Sequence, residues 1–189
     1  PDYSVVQLSD HEGFPEGGST ENVVVSRTRN ELYYVLETNN QTAVVLVKLD
    51  FGLLLDHALA GTVIQSSHYH KRIRSYTSGS PRSEGGVSLS YDENFLFVGL
   101  AFGNQSKIER VTINGGASHN VHTTYDWWIG HIVANQYSAT NNEVMFGHGD
   151  TGYGTRLKRH RGNVVSTPID IIHVVGGSGN NKRVVAGHS

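Results

Sequence analysis

Residues 86–114 read GVSLSYDENFLFVGLAFGNQSKIERVTIN, and they divide into three short strands separated by polar turns. Gly86–Tyr91 precedes Asp-Glu-Asn, Phe95–Leu100 precedes Gly-Asn-Gln, and Lys107–Asn114 closes the unit. The middle segment is the most apolar, which is the pattern of a strand covered on both faces. Gly, Asn and Asp mark the breaks, and β-branched and aromatic residues fill the runs, so the local signal is antiparallel sheet.

The same unit recurs on either side. Upstream it is Val23–Ser26, Leu32–Leu36 and Ala43–Asp50, and downstream it is Ile132–Ser138, Val144–His148 and Thr155–Gly162. Successive three-stranded meanders predict an all-β fold of β-propeller blades, with a β-sandwich as the alternative. Leu32, Phe95 and Val144 begin the equivalent strands, a spacing of roughly 50–60 residues against about 40–50 for a blade. The excess in the first interval is assigned to the polar stretch Gln65–Glu84, and 52–60 is read as one or two helical turns. A closed propeller needs about four blades. Three copies plus the tail Thr167–Ser189 therefore read as a single propeller domain over 1–189, expected to be three to four blades of a larger ring.

Composition narrows the partners. Glycine is abundant (22) and proline scarce (4), while 37% hydrophobic and 17% charged residues describe a folded chain. The net charge of -2 argues against nucleic acid and against anionic membranes. No apolar run reaches the roughly 18–20 residues of a membrane span. With no cysteine there are no disulfides and no thiolate metal sites. Positive charge is nonetheless concentrated at 70–74 and 156–161, which suits an anionic carbohydrate. Asn40-Gln-Thr and Asn104-Gln-Ser match glycosylation sequons in turns and carry little weight.

The densest chemistry lies in Trp127–Arg161. His131 follows Trp-Trp-Ile-Gly, His148 ends the next strand, and Tyr153, Arg156 and Arg159 come after. A uronate polymer is cleaved by removal of the C5 proton and expulsion of the C4 oxygen. That reaction asks for a cation on the carboxylate, a base such as His or Tyr, and an acid for the leaving group. The candidate catalytic residues are His131, His148, Tyr153 and Arg156, and the candidate substrate contacts are Lys107, Trp128, His68, His70 and Arg72. His68 and His70 also have the alternation of a metal-ligand pair. Each has an ordinary alternative: a backbone-bonded histidine, a turn tyrosine, a solvated arginine, a hairpin lysine or a core tryptophan.

Lys107-Ile-Glu-Arg-Val-Thr-Ile-Asn-Gly-Gly, then Trp128-Ile-Gly-His131, then Phe146-Gly-His148-Gly and Arg156, resembles the oligogalacturonate lyase-like propeller family. The resemblance covers about Asn94–Arg161 and implies a seven-bladed propeller that eliminates across uronate glycosidic bonds. It assigns the base to His131, a strand arginine to Arg156 and a uronate-facing cation to Lys107. It also implies a divalent metal (Mn, Ca or Zn), with no ligands assignable here; His173 and His188 match none of them. The family's Gly-His-Pro is Gly130-His131-Ile132 here, and its His-Glu-Gly-Pro is His148-Gly149-Asp150-Thr151. These departures tilt the expectation towards an ulvan-type or other uronate lyase, secreted or periplasmic. The rival expectation is a propeller that binds without chemistry. A hydrolase is disfavoured because only Asp126 and Asp150 lie near His131, not a convincing carboxylate pair.

Overall fold

The computed structural model describes residues 18–20, 22–38, 42–125, 127–134, 143–150, 154–161 and 169–174, with backbone alone for 127, 148–150, 154–161 and 169–174. The first sheet contains β1 (Val23–Val25), β2 (Glu31–Glu37), β3 (Val44–Asp50) and β4 (His70–Tyr76), with helices α1 (Phe51–Leu59) and α2 (Ser66–Tyr69) inserted between β3 and β4. The second contains β5 (Pro81–Leu89), β6 (Phe95–Phe102), β7 (Gln105–Thr112) and β8 (Ser118–Tyr125). The third contains β9 (Trp127–Ala134), β10 (Glu143–Asp150), β11 (Gly154–Arg161) and β12 (Ile169–Val174). Each is a four-stranded antiparallel meander in sequence order, and β5 packs against both β1 and β9. These are consecutive blades of a β-propeller.

Sheet two explains the apolar run that opened the sequence. Leu96, Val98 and Leu100 point to the core shared with Tyr33, Val35, Val44 and Leu46 of blade 1. Phe97 points the other way, into the core shared with Ile129, Ile132, Val144 and Phe146 of blade 3. Strand β6 is thus buried on both faces, and each such side chain contributes roughly 1.5–3 kcal/mol of transfer free energy.

Each blade has a fourth strand beyond the three predicted. β4 (HKRIRSY) and β8 (SHNVHTTY) are polar because they are sheet edges with much of one face in solvent. They therefore lack the apolar signature that betrays a central strand. The surplus residues of the first interval lie at 51–69 rather than 65–84, since β4 and the start of β5 occupy 70–84. α1 runs about two and a half turns, with the Asp50 side chain accepting from Leu53 N at 2.9 Å as its N-cap. The inner strand of the third copy starts at Trp127 rather than Ile132. Among the described residues no helix is long and apolar enough to cross a membrane.

The blades are clasped at one rim. The β1–β2 and β5–β6 turns are built alike: Ser26 N donates to Glu31 O, and Ser90 N donates to Phe95 O. From the second turn Glu93, held at φ 55°, reaches into the first. Its carboxylate accepts from Ser26 Oγ at 2.7 Å, from Arg27 N at 2.6 Å and from Thr28 Oγ1, and it faces the Arg27 and Arg29 guanidinium groups at 3.4 and 3.5 Å. Arg29 also donates to the Glu93 carbonyl. Burial alone pushes this carboxyl up, but the donors outweigh it and hold its pKa down at about 2.

Candidate functional site

The repeat can be read position by position along the inner strands. Asn22 precedes Ser26 by four residues and Gly86 precedes Ser90 by four, so they are equivalent. Val87 pairs with Val98 beside Gly99, and Ile132 pairs with Phe146 beside Gly147, which makes His131 the blade-3 equivalent of Gly86. In blade 1 this position is a latch. Asn22 Nδ2 donates to Val87 O and Val87 N donates to Asn22 Oδ1, both at 2.8 Å. In blade 2 it is a glycine at φ 74°, whose added Cβ would lie 2.2 Å from Asn22 Oδ1. In blade 3 it is an imidazole.

His131 sits in a β-bulge. The β9–β10 register passes from Ile132–Phe146 to Ile129–His148, so Gly130 and His131 together oppose Gly147. The bulge lets Ile129 and Ile132, three apart, both enter the core. A Cβ on Gly130 would lie 3.3 Å from Gly147 Cα and 3.4 Å from the Trp128 ring, so the indole closes over the bulge and His131 is left half-buried. Across the sheet, the backbone register aligns His148 with Arg156 and Arg156 with His173. Ile129, at the edge of the bulge, continues this row. The register therefore puts His148, Arg156 and His173 in one row with Ile129, whereas Trp128 and His131 fall on the alternate positions of β9, so the backbone does not place His131 in that row. Tyr153 lies outside the described residues.

Lys107 goes elsewhere. Its neighbour Ile108 points into the core shared with blade 3, so Lys107 and Glu109 occupy the opposite face of sheet two, towards blade 1. Lys107 Nζ donates to Glu109 Oε1 at 2.6 Å, and Tyr76 O–H donates to Glu109 Oε2 at 3.0 Å. Burial and the Glu109 charge push the Tyr76 phenol far above its ordinary range. Blade 2 stands between Lys107 and His131.

His68 and His70 lie at the clasped rim, since His70 pairs with Leu49 next to the α1 insertion, whereas His148 and Arg156 lie towards the other rim. His70 Nε2 is 2.9 Å from Tyr34 Oη, and its ring stacks at 4.7 Å on Tyr69. Burial lowers the His70 pKa and raises that of Tyr34 to about 12. His68 and Arg72 are exposed. The structure therefore separates these three from the blade-3 row.

Sequence reading missed Asn22, Glu93, Glu109 and Tyr125, and took Arg74 only as part of the 70–74 charge cluster. Tyr125 is 60% exposed at the end of β8, on the rim where β9 starts, and its run with Trp127 and Trp128 was the available signal. The others become visible only when blades meet. Among the described residues no three His, Asp or Glu side chains converge to hold a metal ion, so a divalent cation finds no donor set there.

No family model and no curated protein matches the chain. Solved structures do. A TolB described as putative, from Agrobacterium tumefaciens, superposes with a TM-score of 0.55 at 14% identity, covering 79% of this chain and 48% of that one. The likeness is one of fold. An oligogalacturonate lyase in complex with manganese gives 0.57 at 14%, covering 84% and 42%. A puromycin hydrolase gives 0.51 at 13%, covering 74% and 21%. The chain spans less than half the length of each of these. Enzymes and a TolB alike share the propeller architecture, so the architecture does not choose a chemistry.

Proposed function

We propose that this chain carries part of the active site of a polysaccharide lyase acting on a uronate-containing anionic polymer of pectin or ulvan type. One observation carries the reading. At the inner-strand position where blade 1 has a structural amide and blade 2 a glycine, blade 3 has the half-buried His131, in a bulge that the Trp128 ring covers. An imidazole cannot replace Asn22 as a latch, because its two nitrogens diverge and cannot pair with the N–H and C=O of one residue.

In the proposed reaction the uronate carboxylate lies against Arg156, which neutralises it and acidifies C5–H. His131 takes the C5 proton, and the electron pair forms the C4–C5 double bond. The C4–O bond breaks, and His148 or Tyr153 protonates the departing oxygen. Trp128 supports the sugar ring.

A non-catalytic binding propeller is the second reading, favoured by the purely structural use of Asn22. Incubation with polygalacturonate and ulvan separates the two. The lyase reading expects growing ultraviolet absorbance from unsaturated uronate and its loss in His131→Ala with the fold intact. No rise on any uronate polymer, or a fully active His131→Ala, would overturn it.

A further inference from the structure

Blade 1 carries the residues of an inter-blade joint on a face that meets no described blade. Its Val23 pairs with Tyr34 as Val87 pairs with Val98 and Ile132 with Phe146, and its Val25 pairs with Leu32 as Leu89 pairs with Leu96 and Ala134 with Val144. In blades 2 and 3 these positions dock on the preceding blade. Val87 and Leu89 are 0% and 6% exposed, and Ile132 and Ala134 are 1% exposed each. In blade 1 the same positions are again apolar, yet Val23 is 49% and Val25 64% exposed. Leu32 and Tyr34 beside them are half-buried, where their equivalents are fully buried. Leu36, Val45 and Val47 are buried elsewhere on that face, so the open part is the inner strand and the residues next to it.

Blade 3 is open in the complementary sense. Val24 pairs with Tyr33, Ser88 with Phe97, and Val133 with Met145, so Met145 is the blade-3 equivalent of Tyr33 and Phe97. Tyr33 and Phe97 face the following blade and are fully buried, whereas Met145 and Val133 are half-buried. The two open faces are therefore the two halves of one joint. Contiguous apolar residues left exposed where their repeats are buried mark an interaction surface. A second copy of this chain fits it, because it brings the Val133–Met145 face that blade 1 lacks. A twofold axis makes two such joints and closes the assembly, whereas a head-to-tail contact that does not close grows into a filament. Two copies supply six described blades, within the roughly four to eight that form a ring.

We propose that two copies of this chain associate head to tail, with blade 3 of each docked on the Val23–Val25 face of the other's blade 1. The inference goes beyond the lyase reading and does not depend on it.

Sedimentation equilibrium of the full chain tests it. A dimer is expected across the micromolar range. Val25→Asp should weaken association at least about a hundredfold, since it buries an unpaired charge at both joints, and Met145→Glu should do the same. Mixing the two variants should restore a dimer, because one joint then keeps both native faces. Neither loss of folding nor a contact between two blade-1 faces would give that complementation. A monomeric parent chain, whether its blade 1 is bare or covered by other segments of the same chain, would overturn the proposal. So would open-ended growth with concentration, a Val25→Asp chain that dimerises like the parent, or a mixture that stays monomeric at the highest of these concentrations.

Discussion

Replacing Glu93 with glutamine removes the charge from the inter-blade clasp while keeping its shape. The cost follows from the contacts. The carboxylate accepts from two hydroxyls and the Arg27 amide and faces two guanidinium groups, while only 2% exposed. A folded pKa of about 2 against an ordinary 4.5 corresponds, at about 1.4 kcal/mol per tenfold change, to about 3 kcal/mol of folding stability. The folded value is the depressed one, so this stability is fully present above about pH 5 and drains away as pH falls from there to about 2. Urea unfolding at pH 7 should therefore find the glutamine variant about 2–3 kcal/mol less stable, because its amide nitrogen meets donors instead of accepting from them. The gap between the two proteins should shrink steadily on acidification. Glu31 and Asp92, whose carboxyls are also held low, titrate in both proteins and cancel in the difference. A variant within 0.5 kcal/mol of the parent at pH 7, or a gap independent of pH, would refute the clasp.

Three further outcomes are expected. Gly99→Ala should abolish stable folding or cost at least about 3 kcal/mol, because the new Cβ would sit 1.7 Å from Glu84 O and 2.8 Å from Ile132 Cδ1; a soluble, fully folded variant on thermal melting would contradict that packing. Asn22→Ala should cost about 1–2 kcal/mol and speed amide exchange at Val87 more than at neighbouring amides, which a hydrogen-exchange measurement reads directly. His70 protonates less readily in the folded chain than in the unfolded one, so it adds stability above about pH 6.5 that is lost on acidification below it; Tyr34→Phe should alter the His70 titration followed by NMR, and an unchanged titration would show that the 2.9 Å contact does not matter.

How much the sequence reveals depends on where each residue's partners sit. Inner and central strands were legible because their apolar runs and Asn-Gly breaks are local, as in Phe95–Leu100. The outer strands His70–Tyr76 and Ser118–Tyr125 were not, because an edge strand needs no apolar face. His131 stood out through its Trp-Ile-Gly-His context, and the bulge that holds it is implied only once Gly147 is found opposite. Lys107 looked like a partner of His131 because the family resemblance sets it where a uronate-facing cation stands. The alternation of β7 turns it the other way, to Glu109, which in turn accepts from Tyr76, 33 residues away, a contact that no local pattern announces. Glu93 was hidden for the same reason, 67 residues from Ser26.

The central claim concerns the bond-breaking step, and digestion in heavy-oxygen water tests it most directly. Elimination breaks the C4–O bond without adding water, so mass spectrometry of polygalacturonate or ulvan digests should find unsaturated oligosaccharides that carry no label from the cleavage. Saturated, labelled fragments would identify a hydrolase, and an undegraded polymer would contradict catalysis by this chain.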